Sequence, residues 1–114
     1  MRQTQNLPLA PNQKLALDEI RRRLLTEFPV AGLILYGSAV RGELDQESDI
    51  DLLVLTTRGL SRRERHRITD VVFEVNLERG TNFSTLVVDL EAWQTGQVSL
   101  LPIHEEVLRE GIAV

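Results

Sequence analysis

The chain has 114 residues, 42 % of them hydrophobic, no cysteine, and 13 Lys and Arg against 17 Asp and Glu for a formal net charge of −4. That is the size and balance of one globular domain. It excludes a disulfide framework and thiolate metal sites and argues against nucleic acid as the main partner. With two histidines, His66 and His104, zinc and Ser-His-Asp chemistry are disfavoured. No apolar run approaches the roughly 18 residues of a membrane span, and no signal-type apolar stretch follows Met1–Asn6, so a cytoplasmic location is expected. A domain this short leaves little material for a closed pocket as well as a core, which points to a partner protein or a homo-oligomer.

Residues 1–11 are polar and contain Pro8 and Pro11, which predicts a flexible N-terminal arm ahead of one domain over 12–114. Asn12 is the expected N-cap of a helix whose Leu17, Ile20, Leu24 and Phe28 recur at helical spacing, ended by Pro29. Val30 to Tyr36 reads as a buried strand, Gly37-Ser38 as a turn, and Ser38 to Arg41 as the start of a short helix. Gly42 to Ser48 is polar loop. Residues 49–54 alternate as a strand with an acidic start. Ser61 and Glu64 form a capping box for a second long helix carrying Ile68, Val71, Val72 and Val75, with Gly80 beyond its end. Phe83 to Val88 predicts a third strand, Leu90 to Trp93 a helical turn, and Pro102 to Glu110 a helix stopped by Gly111. The expected order is α-β-α-β-α-β-α, a small α/β domain of three layers or two.

The segment from Leu35 to Val54 carries the chemistry. A strand running into Gly37-Ser38 and a helical turn presents free backbone N–H groups, an anion-binding geometry. Ser38 adds a hydroxyl, and Arg41 stands one turn further on. Asp49 and Asp51, two apart on a strand, project from one face. Carboxylates that close repel each other unless a cation joins them, and Mg²⁺ takes such oxygens together with substrate phosphates. A phosphate cradle beside a carboxylate pair suits a metal–nucleoside triphosphate.

This stretch resembles the G-S-x(10)-D-x-D pattern of the minimal nucleotidyltransferases in the DNA polymerase β-like superfamily. Gly37 and Ser38 match its G-S, and Asp49 and Asp51 its D-x-D. Arg41-Gly42 and Ser48 match its common extras. The resemblance implies a small polymerase β-like domain, a short mixed β-sheet with helices, that transfers a nucleoside monophosphate, usually AMP from ATP, to a hydroxyl. Asp49 and Asp51 would hold Mg²⁺, and Gly37, Ser38, Arg41 and Ser48 would bind the phosphates. It further implies the antitoxin half of a toxin–antitoxin pair with a HEPN-domain toxin, whose hydroxyl would be the acceptor.

Fully active relatives of that kind carry a third carboxylate on the next strand. The aligned positions here, Asn82 and Ser84, are not acidic. Asp89 is the remaining candidate if the strand bends, against the alternative that it caps the following turn. Loss of such a base costs roughly 10²–10⁴-fold in rate. The alternative function is therefore a non-catalytic module of the same fold that neutralises a partner by contact. The basic run Ser61 to Arg67 and Arg21-Arg22-Arg23 read as solvated helix faces, and Trp93 as an anchor for the C-terminal segment.

Overall fold

The computed structural model describes residues 7–42 and 49–114. Its first helix, α1 (Pro11–Glu27), buries Ala16, Leu17, Ile20 and Leu24 on one face. It begins at Pro11, because proline's fixed φ suits the first helical position. The N-cap is therefore Ala10, whose N–H donates to Gln13 Oε1 at 2.7 Å, and not Asn12. Asn12 lies in the first turn and donates to the Arg79 carbonyl at 3.1 Å. Of the arm expected over 1–11, residues 1–6 lie outside the described residues. The rest needs correction: Leu9 is buried and Leu7 packs on the same core, so apolar burial ties residues 7–11 to the domain.

Seven further elements follow: β1 (Val30–Tyr36), β2 (Ile50–Thr56), α2 (Arg62–Arg79), β3 (Phe83–Asp89), α3 (Leu90–Gln94), α4 (Pro102–Glu110) and β4 (Ile112–Ala113). Single 3-10 turns stand at Gly37–Ala39 and Gln97–Leu100. The sheet order is β3-β2-β1-β4, with β2 and β3 parallel and the other two pairs antiparallel. The expected mixed sheet is observed, with two differences. The helix expected from Ser38 is only a 3-10 turn, and a two-residue strand is added at the C-terminal side.

Period two in the central strands produces two cores. Leu33, Leu35, Ile50, Leu52 and Val54 face α1 and α2, while Ile34, Leu53 and Leu55 face Trp93 of α3 and Val107 of α4. The result is three layers. α2 starts at the expected capping box: Ser61 Oγ accepts the Glu64 N–H at 3.1 Å, and Glu64 Oε1 accepts the Ser61 N–H at 3.0 Å. It ends at Gly80, which takes φ +65°.

The α2–β3 connection is locked by Asn76. Its Oδ1 accepts from Thr81 Oγ1 and from the Phe83 N–H, and its Nδ2 donates to the Phe83 carbonyl. That lock, with Ile50 N–H donating to the Asn82 carbonyl at 2.8 Å, sets the start of β3 beside the start of β2. The candidate site lies at this end of the sheet.

Candidate active site

Three strand ends converge. Tyr36, the last residue of β1, is paired with Asp51 near the start of β2, and Asp51 is paired with Ser84 near the start of β3. Directly opposite residues share a face, so Tyr36, Asp51 and Ser84 lie side by side. It is the face that carries Leu53 and Leu55 further along β2. There α3 and α4 cover the sheet, whereas Asp51 stays partly exposed and Asp49 exposed.

The turn after β1 is shaped around Asp51. Gly37 takes φ +79°, a left-handed conformation that side chains disfavour, and a Cβ there would run into Asp51 Oδ2. Only glycine permits this approach of backbone to carboxylate. The turn is closed by Val40 N–H to the Gly37 carbonyl and Arg41 N–H to the Ser38 carbonyl, each 3.2 Å. A turn this short gives less dipole than the expected helix would. It still leaves the amides at its start without partners inside the turn, the feature that suits an anion.

The electrostatics are those of crowded carboxylates. Burial raises the Asp51 pKa above its ordinary value, and the neighbouring charges of Asp49 and Glu106 push it the same way, while Arg41 pulls it back. Burial also pushes the Tyr36 hydroxyl up to about 12, helped by Asp51 and Glu106, so it remains protonated at neutral pH. Glu106 comes from α4. With Glu110 it accepts hydrogen bonds from Arg41 Nη1, at 3.4 Å for Glu106 Oε1 and 2.9 Å for Glu110 Oε2.

Asp49 and Asp51 could supply two hard oxygen ligands to a divalent cation, which would compensate the buried charge of Asp51 and its repulsion by Asp49. Among the described residues no group of three or more His, Cys, Asp or Glu is arranged for a metal, and Asp49 and Asp51 would supply two of its oxygen ligands.

The structure thus brings together Gly37, Ser38, Arg41, Asp49 and Asp51. Ser48 lies outside the described residues. Asp89 is corrected: it sits at the opposite end of β3, paired with Thr56, and its Oδ1 caps α3 by accepting the Ala92 N–H at 2.9 Å. Five strand residues beyond Ser84 is about 16 Å, too far for a shared cation. The position beside Asp51 belongs to Ser84, one of the two positions aligned with the missing carboxylate. Trp93 is 5 % exposed and packs against the His104 ring, with centroids 4.5 Å apart, so it anchors the C-terminal segment as expected. Glu106 and Glu110 escaped the sequence reading. Their i,i+4 spacing is visible there, but nothing in the sequence pairs them with Arg41.

The family model "Nucleotidyltransferase domain" matches residues 17–97. A "putative protein adenylyltransferase" of Methanocaldococcus jannaschii, MJ1305, is 35 % identical over 77 residues, covering 64 % of this chain and 52 % of its own length. The chain thus spans about half the length of that curated relative. A solved "putative minimal nucleotidyltransferase" superposes with TM-score 0.61 at 21 % identity, covering 92 % of this chain and 97 % of the other. A toxin–antitoxin complex crystallised with AMP-PNP gives TM-score 0.59 at 20 % identity, covering 84 % and 69 %. At such identities the solved structures establish the shared fold.

Proposed function

The chain belongs to the nucleotidyltransferase domain family, and from that premise we propose that it transfers a nucleoside monophosphate, AMP from ATP, to a hydroxyl on a partner protein. The acceptor oxygen bonds to the α-phosphorus, the bond to the β-phosphate oxygen breaks, pyrophosphate leaves, and the hydroxyl proton passes to a base. The observation that carries this reading is the left-handed Gly37 pressed against Asp51 Oδ2, which joins the phosphate turn to the carboxylate pair in one site.

Gly37, Ser38 and Arg41 bind the β- and γ-phosphates, and Asp49 and Asp51 hold the cation. Mg²⁺, when bound, neutralises charge on the α-phosphate and on the attacking and leaving oxygens. Asp51 suits that task because its surroundings leave its charge poorly compensated without a cation. Ser48 is proposed as a further phosphate contact. The partner is proposed to be a HEPN-type toxin, with this chain as antitoxin acting in the cytoplasm. The name of the similar archaeal protein and the toxin–antitoxin neighbour support that reading.

One observation favours a second reading. Ser84, not a carboxylate, lies opposite Asp51, so a module that binds nucleotide and partner without turnover fits the same residues. The two separate in one experiment, with the chain, its HEPN-type partner, Mg²⁺ and ATP radiolabelled at either the α- or the γ-phosphate. Transfer of the α-label alone supports nucleotidyl transfer. Neutralisation of the partner without either label supports contact alone.

A further inference from the structure

Glu106 and Glu110 stand one turn apart on the same face of α4, an arrangement that by itself destabilises a helix through like-charge repulsion. Arg41 resolves it, with Nη1 2.9 Å from Glu110 Oε2 and 3.4 Å from Glu106 Oε1. The three side chains are only partly exposed, at 37 % for Arg41, 35 % for Glu106 and 22 % for Glu110, so solvent screens the pairs incompletely.

The helix that offers these carboxylates is firmly placed. Val107, between them in sequence, is fully buried in the second core. Gly111 packs so closely on the Val107 carbonyl and the Ile34 side chain that a Cβ there would overlap both. Beyond it, Ile112 and Ala113 of β4 pair with Leu35 and Ile34 of β1. The strand that leads into the Gly37–Ser38 turn is therefore the strand that carries α4 and its two carboxylates. Arg41, at the far end of the turn, is gripped by a body fixed to the turn's near end.

We infer that Glu106 and Glu110 are positioning residues for Arg41, holding its guanidinium beside the turn so that a triphosphate meets a cation already in place. An arginine side chain has many rotamers to lose, and ordering it before binding removes that cost from the binding step. The inference rests on the proposed phosphate-binding role of Arg41.

The test compares ATP with AMP, which lacks the β- and γ-phosphates. Calorimetric affinities for both nucleotides, with Mg²⁺, are measured on the full chain and on Glu110→Gln, Glu106→Gln, Glu110→Asp and Arg41→Gln. Glu110→Gln is expected to weaken ATP by about three- to fivefold, the upper range for a partly exposed ion pair, with AMP unchanged. Glu110→Asp is expected to recover part of the loss. A merely structural role would lower affinity for both nucleotides together with the melting temperature, and would overturn the inference. If Glu110→Gln does not fold, Glu106→Gln answers the same question through the longer contact. If Arg41→Gln lowers the ATP preference while neither glutamate variant does, or if they tighten ATP, the inference fails and the nucleotide site stands. If Arg41→Gln leaves the preference intact, the role given to Arg41 fails and the inference with it.

Discussion

Gly37 and Asp51 are in contact, and each makes the other's substitution informative. Gly37→Ala must resolve both a left-handed φ and an overlap with Asp51 Oδ2. A cost of about 1–3 kcal/mol is expected, with loss of nucleotide binding. Gly32→Ala in β1, where an added Cβ meets nothing within 4 Å, is the control and should be near neutral in thermal unfolding. Asp51→Asn should do the reverse of an ordinary disruptive change. The folded-state pKa of Asp51 is raised, so its charge opposes folding at neutral pH, and the opposition disappears as pH falls through the folded value towards the unfolded one. The variant should melt higher than wild type at pH 7 without metal. It should approach wild type in acid, and lose transfer activity by about 10²-fold or more. At the neighbouring strand, Ser84→Asp adds a third carboxylate opposite Asp51. Lower stability in EDTA, recovered by Mg²⁺ more strongly than in wild type, is the expected result in melting curves.

Among the elements, α2 shows how much of this fold is written locally. The Ser61–Glu64 box, the buried stripe Ile68, Val71, Val72 and Val75, and the left-handed Gly80 were all legible, because each depends on residues within a few turns. Ser61→Ala should cost about 1 kcal/mol by the loss of one cap. Hydrogen bonds from Arg58 and from the Ser61 backbone hold the Glu64 pKa down at about 2. Its contribution to stability is thus present above the ordinary glutamate value and is lost as pH falls towards 2. Glu64→Gln should flatten that part of the stability–pH curve, measured by denaturant unfolding. What the sequence could not disclose is non-local. A two-residue strand such as β4 has no period to detect, since it exists only because β1 offers an edge about 80 residues earlier. Arg41 finds Glu106 and Glu110 across 65 and 69 residues for the same reason. Asn12 and Asp89 show the converse. Both are good caps by composition; Pro11 moved the first cap from Asn12 to Ala10, whereas Asp89 does cap α3, which occupies the carboxylate of the candidate third acid.

The candidate site lies at one end of a mixed sheet, where β1 ends and β2 and β3 begin, beside α4 of the second helical layer. Two cores support the sheet: α1 and α2 pack on the strands from one side, and α4, held by Val107 and β4, meets the Gly37–Ala39 turn through Arg41 from the other. Of the candidate site, the cradle and the carboxylate pair were legible because they are contiguous in sequence. The balance of charge around them was not, because α4 supplies it. The proposed function requires a cation-dependent nucleotide site built by Asp49 and Asp51 against Gly37–Ser38. Calorimetry of ATP binding, with Mg²⁺ and in EDTA, on the wild-type chain and on Asp49→Asn/Asp51→Asn, is the decisive measurement. Binding that requires Mg²⁺ and disappears in the folded double variant is the predicted result. Equal binding in EDTA, or undiminished binding by the double variant, would contradict it.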